Sequence, residues 1–491
     1  MPVRHRGGRS GSHGEFRDGS ALVARFAPSV TIAGWRLQTG LPTAHLRTRE
    51  RDRNTDLIRA RDPRRKLSMS RSVGVLLVLV SVAVGAPSCV DDDAERVGSV
   101  VTTPINIGTG PEAGATATTT AAPTTEQTPT TTLAPTPTVN VEALTRFLED
   151  RLAESGAEGG LVAVSKGGAD ATIVSAGVTD ASSATPVPID GALPVASITK
   201  SFVAAVLLSL QRDGLVELDD PLGDYVDWPD GEAITVRQLL DHTSGVGPWG
   251  NATDPTSRFL DTVLSDLTTN RTLSSVVESL RDVEPIGQPG FQTYYSNLNY
   301  LLAGRVAEVA SGLPFARLFT ERITAPLELA STYYPAGESP TSGPAPLPGR
   351  FEFEEGVLVS TTAYSNVGFL SLLGPSAAGI SSAADLMRWG DALFRERRLG
   401  PVDLSPMLDV RPGGYGLGVA GVDPTAGSCV FEGCPTGAKF EVLALNGEVP
   451  GSSTRLWYDP STDTLVLLYL NRDGSELDGP MLELLALART P

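Results

Sequence analysis

One serine and one lysine, three residues apart, have the spacing that nucleophilic catalysis needs. Ser197 is followed by Lys200 at the start of an apolar helical pattern, so both side chains fall on one face of the first helical turn. A buried lysine can lose its proton and serve as the base for a neighbouring hydroxyl. Backbone amides at a helix start add a positive field where an oxyanion would form. The pair alone is weak evidence for catalysis, because Ser-x-x-Lys also occurs at ordinary solvated helix starts.

The sequence gives little support for a histidine base or for a metal. G-x-S-x-G is absent after residue 89, and His242 is the only histidine beyond residue 45. We interpret His242, in LLDHTSGV, as a structural turn residue. Cys429 and Cys434 lack further metal ligands, so we expect a local disulfide between them and no metal or organic cofactor.

The catalytic interpretation of Ser197 and Lys200 becomes more specific when Tyr295 and Asn297 are added. They lie about 100 residues downstream, between a Gly-Gln-Pro-Gly turn and a helical pattern. A phenol beside a lysine ammonium can be pushed toward phenolate and relay a proton, and an asparagine amide can bind a substrate carbonyl and the lysine. The alternative for Tyr295 alone is a half-buried core tyrosine.

The elements that must position these residues come from both ends of the chain. Two strand-like runs at 161–166 and 171–177 flank a Gly-Gly turn, and two more follow at 453–460 and 464–471. A helix is expected from about Leu144 to Gly156, and another over 481–488. The pattern predicts one antiparallel sheet built from both termini, with terminal helices packed on it and a separate helical lobe between them.

Six blocks, in order, resemble the serine β-lactamase-related hydrolases, closest to the class C β-lactamase, D-alanyl-D-alanine carboxypeptidase and esterase type. The resemblance covers nearly all of 140–491 and implies an α/β (α+β) fold of the β-lactamase/transpeptidase-like kind. It implies Ser197 as the acylated nucleophile, Lys200 as its base, Tyr295 as a proton relay and Asn297 as a ligand of the substrate amide. The blocks are LPVASITKSFVAAVLLSLQRDGLVELDDPLGDYV, ITVRQLLDHTSGV, YYSNLNYLLAGRVAEVASG, AGISSAADLMRWGDAL, YGLG and PGSSTRLWYDP.

A third sequence motif of the family, which we call the third box, is altered in this chain. Where relatives have Lys or His, then a small or polar residue, then Gly, this chain has Leu445-Asn446-Gly447. The resemblance places Asn446 and Gly447 in the substrate site and makes the backbone amide of Glu448 the second oxyanion donor beside that of Ser197. Leu445 brings no charge for a substrate carboxylate, so β-lactams and D-Ala-D-Ala peptides should bind less well. Whether Lys439 or Arg455 replaces the cation is left open.

The N-terminal part predicts export. Residues 1–68 have no fold signal and are consistent with a mis-called start, and 69–89 contain the apolar run VGVLLVLVSVAVGA after several basic residues. This segment is a secretory signal, or a lipoprotein signal with lipid at Cys89; an uncleaved anchor is the alternative, although the run is short. Residues 90–139 are rich in Thr, Pro, Ala and Gly and predict a disordered stalk. The serine hydrolase domain occupies 140–491.

The 491-residue chain has a net charge of −18, although residues 1–71 are basic, with 16 Lys and Arg against 6 Asp and Glu. The remainder is strongly acidic, so nucleic acid is not an expected partner. We expect an extracytoplasmic serine hydrolase acting on a small-molecule or peptide substrate (an ester, amide, D-Ala peptide or β-lactam), with membrane contact only through a lipid at Cys89. The alternative is a catalytically impaired, stalked binding protein on the same fold.

Overall fold

A computed structural model describes the chain at 101–104, 139–249, 268–354, 357–361, 367–425, 427–428, 434, 437–474 and 476–489. The expected N-terminal extension at 1–68, the signal at 69–89 and Cys429 lie outside these residues. Cys434 is disulfide-bonded. That Cys429 is its partner stays a prediction.

One eight-stranded antiparallel sheet organises the described part of the chain. The strands of the described residues are β1 (Val101–Pro104), β2 (Gly159–Lys166), β3 (Thr172–Gly177), β4 (Leu193–Pro194), β5 (Arg350–Glu354), β6 (Val357–Ser360), β7 (Ile380–Ser381), β8 (Arg398–Leu399), β9 (Val402–Asp403), β10 (Ala420–Asp423), β11 (Gly427–Ser428), β12 (Val442–Val449), β13 (Ser452–Asp459) and β14 (Thr464–Leu470). The spatial order of the large sheet is β1-β3-β2-β14-β13-β12-β10-β11, so strands from both ends of the domain pair in its centre. Short pairs β4–β7, β5–β6 and β8–β9 lie outside it.

Helices cover both faces of this sheet. The first and last pack on one face, and the helices between them supply the helical lobe and the layer on the other face. The helices are α1 (Val141–Ser155), α2 (Thr199–Arg212), α3 (Val236–Leu240), α4 (Leu273–Ser279), α5 (Asn297–Ser311), α6 (Phe315–Phe319), α7 (Val367–Leu373), α8 (Ala383–Gly390) and α9 (Asp478–Arg489). Tighter or wider turns extend several of them, including a 3₁₀ turn (Ala196–Ile198) directly before α2.

Strand β14 shows how the sequence produces a sheet that is buried on both faces. All seven of its residues are buried, and successive side chains point to opposite faces. Leu465, Leu467 and Tyr469 therefore enter the core with α2, while Val466 and Leu468 enter the core with α1 and α9. A strand covered on both faces reads as a continuous apolar run, as TLVLLYL does.

The predicted fold class is confirmed, and the element boundaries agree to within a few residues. The hairpin β2–β3, the hairpin β13–β14 and both terminal helices are present, and Gly156 ends α1 with a left-handed φ of 68°. The disordered stalk at 90–139 stays a prediction, with one local difference inside it. Val101–Pro104, inside the stretch predicted to be a disordered stalk, pairs with β3 as an edge strand. Val-Val-Thr-Thr at 100–103 is β-branched, which suits an extended strand.

Two further observations concern the described ranges only. None of their helices combines the length and the apolar character that crossing a bilayer requires. In the same part of the chain, no three His, Cys, Asp or Glu side chains gather closely enough to hold a metal ion.

Candidate active site

Ser197 lies in a strained turn between β4 and α2. The preceding residue, Ala196, has a left-handed φ of 48°, which costs a non-glycine residue about 1–3 kcal/mol unless its surroundings impose it. Thr199 supplies part of that constraint, because its Oγ1 donates to the Ala196 carbonyl at 2.6 Å and accepts from the Gly379 amide at 3.0 Å. The turn leaves Ser197 partly exposed while both neighbours are buried. A hydroxyl held at the surface on a rigid turn is suited to attack a bound substrate.

Lys200 lies one turn into the helix and is fully buried. Its Nζ is 3.0 Å from Ser197 Oγ, 2.6 Å from Asn297 Oδ1 and 2.9 Å from the Ser376 carbonyl oxygen. Burial lowers the pKa of Lys200 well below its usual 10.5. A neutral amine has two protons to donate and one lone pair. In this neutral form the amide and carbonyl oxygens accept the two protons, and the lone pair is available for the Ser197 hydroxyl proton.

Tyr295 contacts the same serine oxygen from another side. Its hydroxyl lies 2.8 Å from Ser197 Oγ, and its ring lies 4.7 Å from Lys200 Nζ. Burial raises the pKa of Tyr295 above its usual 10. The expectation from the sequence is that a lysine ammonium pushes this phenol toward phenolate. Burial acts in the opposite direction, because it lowers the pKa of Lys200 and raises the pKa of Tyr295, and both shifts favour the neutral forms.

The third box lies beside the nucleophile turn on β12. A Cβ at Gly447 would be 2.2 Å from the Val195 carbonyl oxygen, so only glycine fits against this turn without displacement. Leu445, on the same face by strand alternation, is only 2% exposed and belongs to the core that contains α2. An apolar, buried side chain therefore occupies the position at which relatives carry a cation.

The side chains of Asn446 and Glu448 are directed away from Ser197. Asn446 Oδ1 accepts from Trp457 Nε1 at 2.7 Å, and Glu448 Oε2 lies 3.1 Å from Arg455 Nη2. Asn446 is therefore not brought into the serine cluster by its side chain. A role for Glu448 through its backbone amide stays a prediction.

Of the two cations considered near the third box, Arg455 is already engaged by other groups, and the described residues show no contact between the Lys439 side chain and the serine cluster. The guanidinium of Arg455 is bound to the Gly447 carbonyl and the Glu448 carboxylate and is largely buried. Lys439 is exposed, and its backbone amide is bound to Asp423.

Sequence reasoning missed an aromatic cluster beneath Tyr295. The ring of His242 lies 4.4 Å from that of Tyr295 and 4.7 Å from that of Tyr415. Tyr300 completes the cluster, with its ring 5.6 Å from Lys200 Nζ. Each of these residues stood inside a recognised sequence block, but only the fold shows that they meet. The Ser376 carbonyl left no side-chain signal at all.

Comparison with known proteins decides the family. The family model described as Beta-lactamase matches residues 144–490, which is most of the chain. The chain belongs to the serine β-lactamase family of hydrolases. As a β-lactamase-family chain, it is 29% identical over 210 residues to D-alanyl-D-alanine-carboxypeptidase/endopeptidase AmpH of Escherichia coli (strain K12). That alignment covers 41% of this chain and 48% of AmpH, so the chain spans only about half the length of this curated relative.

Two solved structures show the same β-lactamase-family fold. D-stereospecific amidohydrolase from Streptomyces sp. is 27% identical, with a TM-score of 0.54 over 68% of this chain and 95% of that chain. D-amino acid amidase from Ochrobactrum anthropi SV3, complexed with L-phenylalanine, is 23% identical, with a TM-score of 0.57 over 70% and 97%. The similarity extends over almost the whole length of both solved structures.

Proposed function

We propose that this protein is an exported serine hydrolase that forms an acyl-enzyme on Ser197 and acts on an ester or amide. The observation that carries the proposal is the double contact at Ser197 Oγ, 3.0 Å from Lys200 Nζ and 2.8 Å from the Tyr295 hydroxyl. Nucleophile and base within hydrogen-bond reach, with the base oriented by further groups, is the arrangement that activates a serine. Asn297 and the Ser376 carbonyl supply that orientation.

The proposed acylation uses the neutral forms that burial favours. Lys200 takes the Ser197 proton as Oγ attacks the substrate carbonyl carbon, and the carbonyl oxygen becomes an oxyanion. The backbone amides of Ser197 and Glu448 are its proposed donors. Tyr295 then gives its proton to the leaving oxygen or nitrogen as that bond breaks, and the Lys200 ammonium restores the proton to Tyr295. Water repeats the sequence on the acyl-enzyme and releases the acid.

The substrate class follows from the third box. Leu445 is apolar and buried, and the nearby Arg455 is already bound to Glu448, so neither of these described side chains offers a free cation for a substrate carboxylate. An uncharged leaving group suits it better than the carboxylate of a β-lactam or a D-Ala-D-Ala peptide. The likeness to D-stereospecific amidohydrolase supports amides of D-amino acids as one candidate group.

A matched pair of substrates tests the proposal. We compare kcat/KM for two esters of one acyl group, whose leaving groups differ only in carrying a carboxamide or a carboxylate. Intact-mass spectrometry after rapid quenching detects the acyl-enzyme. We expect an adduct on Ser197 and a preference of at least about tenfold for the neutral ester, because a carboxylate that is desolvated without a partner costs at least about 1–3 kcal/mol. Equal kcat/KM for the two esters would contradict the substrate class.

Substitution at the third box provides the matched variant. Leu445→Lys should raise kcat/KM for the carboxylate ester and so reduce the preference for the neutral ester. Leu445→Met, which is similar in volume and uncharged, should leave the ratio of the two kcat/KM values unchanged. The binding-protein alternative is favoured by Leu445 and makes a different prediction. It requires that neither ester is turned over by a folded wild-type protein.

Export is the second part of the proposal. Its support is the apolar run at 73–86 behind basic residues, followed by Cys89 and the Thr/Pro-rich stretch. Fractionation of cells expressing the full chain should recover the domain outside the cytoplasm, and deletion of 69–89 should retain it inside. Cys89→Ser separates the two signal types, because it should release the protein from membranes only if Cys89 carries lipid.

A further inference from the structure

His242 occupies an unusual backbone position next to the proposed site. It follows the end of α3, is fully buried, and has a left-handed φ of 60°. Residues other than glycine adopt this region uncommonly, although histidine does so more often than most, and neighbouring contacts help to hold it there. One such contact is the His242 carbonyl, which accepts a hydrogen bond from the Tyr294 amide at 2.8 Å.

The imidazole binds the chain on the other side of Tyr295. Its Nδ1 lies 3.4 Å from the Ser296 backbone nitrogen and 2.9 Å from Asn299 Nδ2. His242 thus holds the amides immediately before and after Tyr295, one through its carbonyl and the other through its ring. The ring itself supports the Tyr295 ring at 4.4 Å between centroids.

The hydrogen bonds also fix the proton on the imidazole. The Ser296 amide can only donate, so Nδ1 accepts and the proton of the neutral ring is on Nε2. Nε2 is buried without a hydrogen-bond partner among the described residues. A buried unpaired donor is costly, and a phenylalanine would fill much of the same space without one. What the imidazole adds is therefore the Nδ1 acceptor that anchors Tyr295.

We propose that His242 is a positioning residue that sets the Tyr295 hydroxyl against Ser197 Oγ. The inference rests on the proposed function, because Tyr295 matters only if Ser197 is acylated. The Tyr295 hydroxyl touches Ser197 at 2.8 Å, and a shift of about 1 Å in such a group can cost about 100-fold in rate. His242 acts through Tyr295 and has no contact of its own with the substrate in this proposal.

Two variants remove different parts of the anchor. His242→Asn keeps a side-chain acceptor and tolerates the left-handed backbone, but it loses the ring support. His242→Phe keeps a ring and loses the acceptor. The concentration of active enzyme is determined by active-site titration. We expect each variant to lower kcat for the neutral ester by about 10- to 100-fold and to change KM by less than about threefold.

A double-mutant cycle separates positioning from a general structural role. In a Tyr295→Phe background the hydroxyl that His242 positions is gone, so His242→Asn should lower the residual kcat by less than about threefold. Leu318→Ala, which opens a cavity in α6 on the helical lobe, is the control for lost stability and should leave kcat per titrated site unchanged in both backgrounds.

Two results would overturn the inference. Equal losses from His242→Asn in the wild-type and Tyr295→Phe backgrounds would show that His242 does not act through the hydroxyl. Losses per titrated site from Leu318→Ala as large as those from His242→Asn would show a general effect of destabilisation. Absence of turnover in folded wild-type protein has a different meaning, since it contradicts the proposed function itself and removes the inference with it.

Discussion

The Nζ of Lys200 lies 3.0 Å from Ser197 Oγ, and in the neutral amine this contact is the one that its lone pair can make. Two of its three oxygen neighbours, Asn297 Oδ1 at 2.6 Å and the Ser376 carbonyl at 2.9 Å, can only accept, while the Ser197 hydroxyl at 3.0 Å can donate. Full burial disfavours the ammonium form. This geometry supports the proposed role of Lys200 as the base for Ser197.

The pH dependence of activity should follow from these two buried groups. Lys200 must be neutral and its pKa is lowered, so kcat/KM should rise with pH through an acid limb that lies well below 10.5 and then reach a plateau. Tyr295 must keep its proton and its pKa is raised, so activity should fall only at pH values above 10. A kcat/KM profile on the neutral ester measures both limbs. An acid limb at the ordinary lysine value would contradict Lys200 as a free base.

Stability should depend on pH through the same lysine. Between the lowered folded pKa and 10.5, the unfolded chain binds a proton at Lys200 that the folded protein does not, so the free energy of unfolding gains up to about 1.4 kcal/mol per pH unit as pH rises. Lys200→Met lacks this contribution. Urea unfolding at several pH values should show wild type gaining stability relative to Lys200→Met as pH approaches 10.5. A constant difference would mean that Lys200 is charged when folded.

Gly447 should be required by the contact between β12 and the nucleophile turn. In Gly447→Ala the added Cβ would lie 2.2 Å from the Val195 carbonyl oxygen, so the strand or the turn must move. We expect a loss of about 1–3 kcal/mol in unfolding free energy and of at least about 100-fold in kcat/KM. Gly479→Ala in α9 is the matched control, because its Cβ would meet no atom within 4 Å and activity should be unchanged. Full activity in Gly447→Ala would show that the turn tolerates displacement.

The sequence predicted the part of the site that depends on local spacing. Ser197 and Lys200 meet because they are three residues apart on one helical turn, and the fold class followed from strands at both ends of the domain. The approach of Tyr295 to that turn rested on resemblance, since about 100 residues intervene. The left-handed Ala196 and the Ser376 carbonyl could not be predicted, because long-range packing creates them and no distinctive side chain marks them.

His242 illustrates the limit most clearly. As a single histidine in a recognised block it was interpreted as a structural turn residue, and its burial and left-handed φ agree with a turn. Its contacts with both neighbours of Tyr295 arise only when residues more than 50 positions apart are brought together. No periodicity or local spacing reports such a contact.

The central claim, an activated Ser197, is tested most directly by intact-mass spectrometry after exposure to a fluorophosphonate, which modifies activated serines and needs no substrate carboxylate. The purified domain at 140–491 and the full chain are treated in parallel, with folding verified by circular dichroism. We predict one adduct, mapped to Ser197 by peptide analysis and absent in Ser197→Ala. A folded protein with no adduct at any serine would contradict the catalytic account and leave the binding-protein alternative.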